Sequence, residues 1–164
     1  MIKIISNSPA ETIRLGERFA HLLKDGDFIG LIGILGAGKT YFTKGIAKGL
    51  GVPKKHHITS PTFVLGNLYH GKKMALYHFD AYRLNNPREL LGLGFGELHS
   101  DNTVTVLEWA DKLLPLIQKK GYSERIIKVR FKIIGSEKRL ITFDGVSHPA
   151  WAGLRCRFAD PLRC

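Results

Sequence analysis

The sequence predicts an α/β fold in which helices cover both faces of a mixed central sheet. A short apolar run at 27–32 leads into a glycine-rich turn and then into an amphipathic segment that begins near Tyr41. Apolar runs at 63–70 and 74–80 flank a turn around Gly71, which is typical of a β-hairpin. Because strand–loop–helix units favour parallel pairing and a hairpin is antiparallel, the sheet should contain both kinds of pair.

The glycine-rich turn from Gly33 to Thr40 reads G-I-L-G-A-G-K-T and fits the phosphate-binding pattern G-x-x-x-x-G-K-[ST]. Its glycines let the backbone form a nest of N–H groups at the start of a helix. Lys39 is predicted to reach the β- and γ-phosphates of a nucleotide, and the Thr40 hydroxyl to contact Mg²⁺. We therefore expect a single three-layer, P-loop NTPase-like domain over residues 1–146, followed by a poorly ordered tail at 147–164.

Two later strand ends present carboxylates. Asp80 ends the second hairpin strand, and Glu108 follows the β-branched run 103–107, which is the arrangement of a Walker B strand. At the carboxyl edge of the sheet, Asp80 could hold Mg²⁺ through water or orient the attacking water; a plain strand-end turn residue is the alternative. A hard cation accepts either Glu or Asp oxygens, so Glu108 fits a metal ligand. For Trp109, a core position is favoured over one beside the nucleotide.

The polar loop at 54–62 leaves its alternatives open. Ser60 and Thr62 are candidates for phosphate ligands or γ-phosphate sensors, although a simple Ser-Pro turn is favoured on spacing alone. His56 and His57 lack partners at metal-ligand spacing, so a solvated loop is favoured over a metal site.

The remaining elements follow from periodicity and capping signals. They are an edge strand at 1–5, an amphipathic helix from Pro9 to Leu23 with Ser8 and Glu11 as a capping box, short helices at 88–91 and 111–118, a glycine-rich flap or loop at 92–96, and a second hairpin at 125–134 and 138–143 whose core-facing residues are Ile127, Val129, Phe131 and Ile133.

Composition limits the partners. The formal net charge is +11, which favours anionic partners such as nucleotide, nucleic acid or an acidic protein surface, although a merely soluble basic surface fits as well. No apolar run approaches the ~20 residues of a membrane span. We therefore expect no membrane among its partners. The two cysteines, Cys156 and Cys164, form neither a disulfide framework nor a zinc pattern, which favours a reducing compartment, so we expect a cytoplasmic protein.

Three further blocks follow the P-loop along the chain. The four blocks in order are G-I-L-G-A-G-K-T at 33–40, S-P-T-F at 60–63, Y-H-F-D-A-Y-R-L at 77–84 and L-E-W at 107–109. Together they resemble the TsaE family of bacterial ATPases, from the pathway that makes threonylcarbamoyladenosine in tRNA. The resemblance implies ATP and Mg²⁺ as cofactors, TsaB- and TsaD-like proteins as partners, and tRNA as an indirect or direct partner. It also implies that ATP hydrolysis drives turnover of the complex and is slow in the isolated subunit.

The resemblance also implies roles for residues at matching positions. Lys39, Asp80 and Glu108 are expected to support hydrolysis, and Thr40 and Glu108 to bind the metal. The expected nucleotide-binding residues are Gly33, Leu35, Gly36, Ala37, Gly38, Lys39, Thr40, Tyr41, Ser60 and Thr62. The family usually has Asp where this chain has Ile34, and Thr where it has Tyr41. We expect these two departures to affect the rate of hydrolysis more than nucleotide binding.

Two other functions fit a P-loop domain. A stand-alone kinase for a small molecule or nucleoside needs an acceptor pocket and usually an Arg-bearing lid, for which Arg83 and Arg88 are candidates without a recognisable lid sequence. A nucleotide-gated binding module would need no hydrolysis. A GTPase is disfavoured, since no [NT]-K-x-D motif follows the P-loop.

Overall fold

The computed structural model describes residues 1–61, 66–84, 89, 102–120 and 125–145. In chain order the elements are β1 (Ile2–Ser6), α1 (Pro9–Ala20), β2 (Phe28–Ile32), α2 (Lys39–Leu50), β3 (Gly66–His70), β4 (Ala75–Asp80), β5 (Thr103–Glu108), a 3₁₀ turn (Ala110–Lys112), α3 (Leu114–Lys120), β6 (Ile126–Ile133) and β7 (Arg139–Asp144).

The strands form one sheet in the order β1-β7-β6-β2-β5-β4-β3. The inner strands β6, β2, β5 and β4 are mutually parallel, and the pairs β3–β4, β6–β7 and β1–β7 are antiparallel. The mixed sheet, both hairpins and the N-terminal edge strand are thus confirmed. Parallel neighbours bring the carboxyl ends of β2, β4 and β5 to one edge, where the P-loop also begins.

Alternation along β2 divides the core into two layers. Ile29 and Leu31 belong to the cluster that α1 and α2 cover. Phe28 and Ile32 face the opposite cluster, which the 3₁₀ turn and α3 cover. Gly30 lies against that second layer, since a Cβ there would be 3.0 Å from the Cβ of Ala110. The predicted arrangement of three layers is therefore confirmed.

Helices α1 and α2 are in backbone contact. A Cβ on Gly45 would lie 2.1 Å from the carbonyl oxygen of Ile13, and one on Gly16 would lie 2.3 Å from that of Phe42. Gly49 makes a similar approach to Glu17. Larger side chains would separate the helices, so these glycines fix how closely α2, and with it the P-loop, lies against α1.

The boundaries differ from the predicted ones in several places. Ser8 caps α1 by accepting a hydrogen bond from the Glu11 N–H at 3.2 Å, but the Glu11 carboxylate accepts from the Asn7 N–H at 2.7 Å, one residue before a standard capping box. Helix α1 ends at Ala20 rather than Leu23. Ile133 is 38% exposed, so its predicted core position is wrong.

The predicted helix at 111–118 is a 3₁₀ turn followed by α3, with Pro115 in the first turn of α3, where proline is tolerated. Thr62, the glycine-rich segment 92–96, the tail 147–164 and all but Glu89 of the predicted helix at 88–91 lie outside the described residues. In the described ranges no helix is long and apolar enough to cross a membrane.

Candidate nucleotide-binding site

The P-loop joins the end of β2 to the start of α2 through glycines in conformations that other residues rarely adopt. Gly33, Gly36 and Gly38 have φ of 155°, 74° and 102°. Gly38 is also the N-cap of α2, which has no side-chain cap. Because the first-turn N–H groups of a helix lack intrahelical partners, this end of α2 offers them to an anion.

Lys39 is buried within the loop that it follows. Its Nζ donates hydrogen bonds to the carbonyl oxygens of Gly33 at 2.7 Å and Ile34 at 3.0 Å, and lies 4.1 Å from the ring centroid of Trp109. Burial lowers the pKa of Lys39, while Glu108 and Asp80 nearby partly offset that effect. The two carbonyl oxygens thus hold the ammonium group at the base of the loop, where a phosphate oxygen could become a further acceptor for it.

Asp80 and Glu108 are side by side because β4 and β5 pair in parallel with these two residues opposite each other. Asp80 Oδ1 accepts from the Tyr82 N–H at 2.8 Å, and Oδ2 accepts from the hydroxyl of Ser60. Burial raises the pKa of Asp80, the Tyr82 N–H opposes this, and the charge of Glu108 adds to it. The strand pairing therefore brings two carboxylates to the mouth of the P-loop.

A buried histidine supports Glu108. His78 Nε2 lies 2.9 Å from Glu108 Oε1, and the two side chains are 0% and 3% exposed. A carboxylate accepts, so Nε2 carries the proton and donates; Nδ1 has no hydrogen-bond partner in the described part of the chain. A second proton on Nδ1 would be buried without an acceptor in the described residues.

These residues surround one cavity of about 250 Å³. Its described lining consists of Leu35, Gly36, Ala37, Gly38, Lys39, Thr40, Tyr41, Ser60, Asp80, Tyr82, Glu108 and Trp109. The structure thus brings together every expected site residue that it describes except Gly33, which lies at the start of the loop and binds Lys39 through its carbonyl. The roles of these residues stay predictions.

Sequence reasoning did not place two of the aromatic residues that line the cavity. Trp109 packs against the second core layer, as favoured, but it also lines the cavity, in a left-handed conformation with φ of 59°. Tyr82 was not singled out, and its ring lies 5.0 Å from that of Trp109, centroid to centroid. The sequence signal that could have found both is their position within two residues after a strand-end carboxylate, Asp80 for Tyr82 and Glu108 for Trp109.

The site offers suitable oxygen atoms for Mg²⁺. Thr40 Oγ1 lies 3.2 Å from Glu108 Oε2. Neighbouring ligands of an octahedral Mg²⁺, each at about 2.1 Å, are about 3 Å apart, so the two oxygens have a fitting separation. A hydroxyl and one carboxylate beside a phosphate site form the sparse protein ligand set that Mg²⁺ uses with nucleotides.

Comparison with known proteins shows a family match over most of the chain. The family model described as threonylcarbamoyl adenosine biosynthesis protein TsaE matches residues 6–141. The chain belongs to the TsaE family. The tRNA threonylcarbamoyladenosine biosynthesis protein TsaE of Treponema pallidum is 35% identical over 141 residues, covering 86% of this chain and 98% of that protein. TsaE of Bacillus subtilis is 38% identical over 141 residues, covering 86% and 84%.

A solved structure agrees with this TsaE assignment. The crystal structure of YdiB from Bacillus subtilis matches with a TM-score of 0.65 and 31% sequence identity, covering 99% of this chain and 96% of that one. The family resemblance and the P-loop-like α/β fold, both predicted from sequence blocks, are confirmed. This chain is therefore a TsaE-family protein of tRNA threonylcarbamoyladenosine biosynthesis.

Proposed function

We propose that this protein is a Mg²⁺-dependent ATPase of the tRNA threonylcarbamoyladenosine pathway, acting in the cytoplasm with TsaB- and TsaD-like partners. The observation that supports this most directly is the cavity at the P-loop, where Lys39 and the start of α2 face Asp80 and Glu108. One edge of the sheet thus combines phosphate-binding groups with two carboxylates.

The chemistry follows from these positions. Lys39 and the first-turn N–H groups of α2 bind the phosphate oxygens and stabilise the charge that spreads over them during transfer. Thr40 and Glu108 would hold Mg²⁺, which, when bound, neutralises phosphate charge. Asp80 orients the attacking water and receives its proton, and its raised pKa matches that task better than an ordinary aspartate would.

The mouth of the cavity supports a role for partner proteins. Ile34 and Leu35 are 64% and 74% exposed at the tip of the P-loop, and Tyr41 and Tyr82 are exposed at its sides. Apolar side chains around a functional cavity are typical of a surface that another protein covers. We expect slow hydrolysis by the isolated protein, which changes when the TsaB- and TsaD-like proteins bind.

Hydrolysis is tested with γ-labelled ATP, measuring inorganic phosphate with and without Mg²⁺. Lys39→Ala should weaken ATP binding and abolish hydrolysis, because the phosphates lose their buried cation, while Lys138→Ala at an exposed position should change neither. Label recovered on a small-molecule acceptor would instead support a kinase. Undiminished hydrolysis by Lys39→Ala would contradict the proposed site.

The pathway role is tested by capture of binding proteins from cell extract with and without ATP. TsaB- and TsaD-like proteins should be recovered with the wild type. Their absence in both conditions would contradict the partner assignment. Restored tRNA modification by a hydrolysis-deficient Asp80→Ala variant would mean that the protein is a nucleotide-gated binding module.

A further inference from the structure

A second cavity, a groove of about 320 Å³, lies along α2 outside the nucleotide site. The second half of α2 and the loop that follows it form its walls. We call this the α2 groove, and its described lining consists of Lys44, Ala47, Lys48, Val52, Pro53, Lys54, His56, His57, Ile58 and Thr59. Nothing in the P-loop chemistry uses these residues.

The lining of the α2 groove is basic. Five of its ten described residues are lysine or histidine, and none is acidic. Lys48 forms an ion pair with Glu17 at 2.8 Å. Lys44 and Lys54 form no ion pair with any residue in the described ranges, so two ammonium groups are available to an anionic ligand. Such groups attract phosphates as point charges.

Four of the five other lining residues are apolar, and the fifth is Thr59. Ala47 and Ile58 are buried, with Val52 and Pro53 beside them. An apolar floor beneath a cationic rim can receive both a base or sugar and the phosphates on either side of it. A purely acidic protein surface would use the rim and leave the floor without a partner, so nucleic acid fits the groove better.

We propose that the α2 groove binds the phosphodiester backbone of RNA, with Lys44 and Lys54 each contacting a phosphate. That the RNA is a tRNA rests on the proposed function. That the groove binds RNA rests on its basic lining and on the net charge of +11, which are independent of the proposed function.

The α2 groove also adjoins the nucleotide site. Thr59 lines the groove, whereas the next residue, Ser60, lines the P-loop cavity and donates to Asp80. On α2, the Lys44 ammonium lies 5.4 Å from the centroid of the Tyr41 ring, which borders the same cavity. RNA in the groove would thus lie beside the segment that supplies part of the nucleotide site.

The test measures binding of a fluorescent unmodified tRNA transcript to the full chain at 50 to 200 mM KCl. The double variant Lys44→Gln/Lys54→Gln removes the two unpaired charges. The matched control Lys3→Gln/Lys132→Gln removes two exposed charges outside the groove, on strands β1 and β6. The groove variant should bind the transcript roughly tenfold more weakly at 100 mM KCl. The slope of log K against log[KCl] should become less negative by about 2, one for each lost phosphate contact. The control should keep the wild-type slope.

Equal weakening by both double variants would overturn the proposal, because it would indicate diffuse attraction to a basic surface. So would wild-type protein that does not bind the transcript, or groove substitutions that disturb only the binding of an acidic protein partner. Hydrolysis of ATP is measured on the same preparations: an active ATPase that does not bind tRNA contradicts this inference alone, whereas an inactive one contradicts the proposed function. Thermal melting monitored by circular dichroism verifies that both variants are folded.

Discussion

Asp80 shows how a single carboxylate can be tested for a catalytic role without disturbing the fold. In Asp80→Asn, the side-chain oxygen still accepts from the Tyr82 N–H, and the amide can donate to the Ser60 hydroxyl. What is lost is the ability to take a proton. We expect ATP binding close to wild type and a turnover rate lower by about 10²–10⁴-fold, measured by single-turnover hydrolysis.

The pH profile sharpens this prediction. Burial raises the pKa of Asp80, so on acidification the wild type should lose activity at a higher pH than an ordinary aspartate with a pKa of 3.8 would produce. Asp80→Asn should lack this acid limb. Asp111→Asn removes an exposed carboxylate that acts on Lys39 and is a control for charge alone. An unchanged acid limb in Asp80→Asn would rule out Asp80 as the group that titrates.

His78 acts, in this geometry, on the orientation of Glu108. His78→Leu would leave Glu108 Oε1 buried without its donor, so the carboxylate should turn and weaken the proposed binding of Mg²⁺. Removing such an outer partner typically costs 10–100-fold in metal affinity, and we expect a loss of that order for Mg²⁺ in the presence of ADP. His78→Gln keeps an N–H donor and should recover part of the affinity. A Mg²⁺ titration of His78→Leu that matches the wild type would contradict the positioning role.

At the site, the predictable residues are those that a local motif specifies. The P-loop residues follow from spacing alone, and Asp80 and Glu108 follow from their places at strand ends. His78 could not be found in this way. Its partner is thirty positions away, and the contact exists because β4 and β5 are neighbours in a particular register. The cavity-lining position of Trp109 was missed for a related reason. Tryptophan favours burial, and Trp109 does pack against the core, but the sequence does not show the left-handed turn that also brings it to the cavity.

Among the contacts between elements, the one between α1 and α2 depends on glycine, because the helices approach too closely for a Cβ at Gly16, Gly45 or Gly49. In the sequence, glycines inside a helix indicate only weak helix formation. In the structure they allow two backbones to touch, which periodicity could not predict. The boundaries of β2, β4, β5 and the second hairpin, by contrast, followed closely from apolar runs and turn residues. Residues 63–65, where the first hairpin strand was predicted to begin, lie outside the described residues.

Gly45→Ala tests this contact. The new methyl group would lie 2.1 Å from the Ile13 carbonyl and 2.8 Å from the Glu17 N–H nitrogen, both backbone atoms that cannot move aside singly. We expect the free energy of unfolding in urea to fall by roughly 1–3 kcal/mol, despite the better helix propensity of alanine. Gly135→Ala is the control, because its nearest neighbour is the flexible side chain of Lys138 at 3.3 Å. A stability gain in Gly45→Ala would mean that the helices do not approach so closely.

At the level of the whole molecule, the two ends of the sheet differ in structure. The carboxyl ends of β2, β4 and β5 form the candidate nucleotide site, whereas the opposite ends are held by two aspartates that precede β2. Asp27 accepts from the Lys24 N–H at 2.8 Å and from Arg125 at 2.7 Å, and Asp25 accepts from the Thr103 N–H at 2.8 Å. The order of the parallel strands was not predictable, since apolar runs identify strands and not their neighbours. The long-range contacts of Asp27 with Arg125 and of Asp25 with Thr103 help to specify it.

The two aspartates should influence global stability with opposite dependence on pH. Burial raises the pKa of Asp27 above 3.8, against the opposing effects of the Lys24 N–H and Arg125. Between 3.8 and that higher value the folded protein keeps a proton that the unfolded chain has lost, so the stability from this group is present below 3.8 and falls as pH rises through the folded value. The Thr103 and Asn102 N–H groups lower the pKa of Asp25, so its contribution is present above 3.8 and is lost as pH falls through its lower folded value.

Urea unfolding of the wild type, Asp27→Asn and Asp25→Asn across the acidic range measures both effects. The difference in unfolding free energy between wild type and Asp27→Asn should shrink as pH rises above about 4, because the wild type alone then pays for charging a buried carboxyl. The difference between wild type and Asp25→Asn should instead grow as pH rises from the acid side. Both variants lose one carboxylate within three residues of each other, so a general effect of net charge would make both differences change with pH in the same direction. Opposite pH trends can arise only if the local environments, burial for Asp27 and backbone N–H donors for Asp25, control the two titrations.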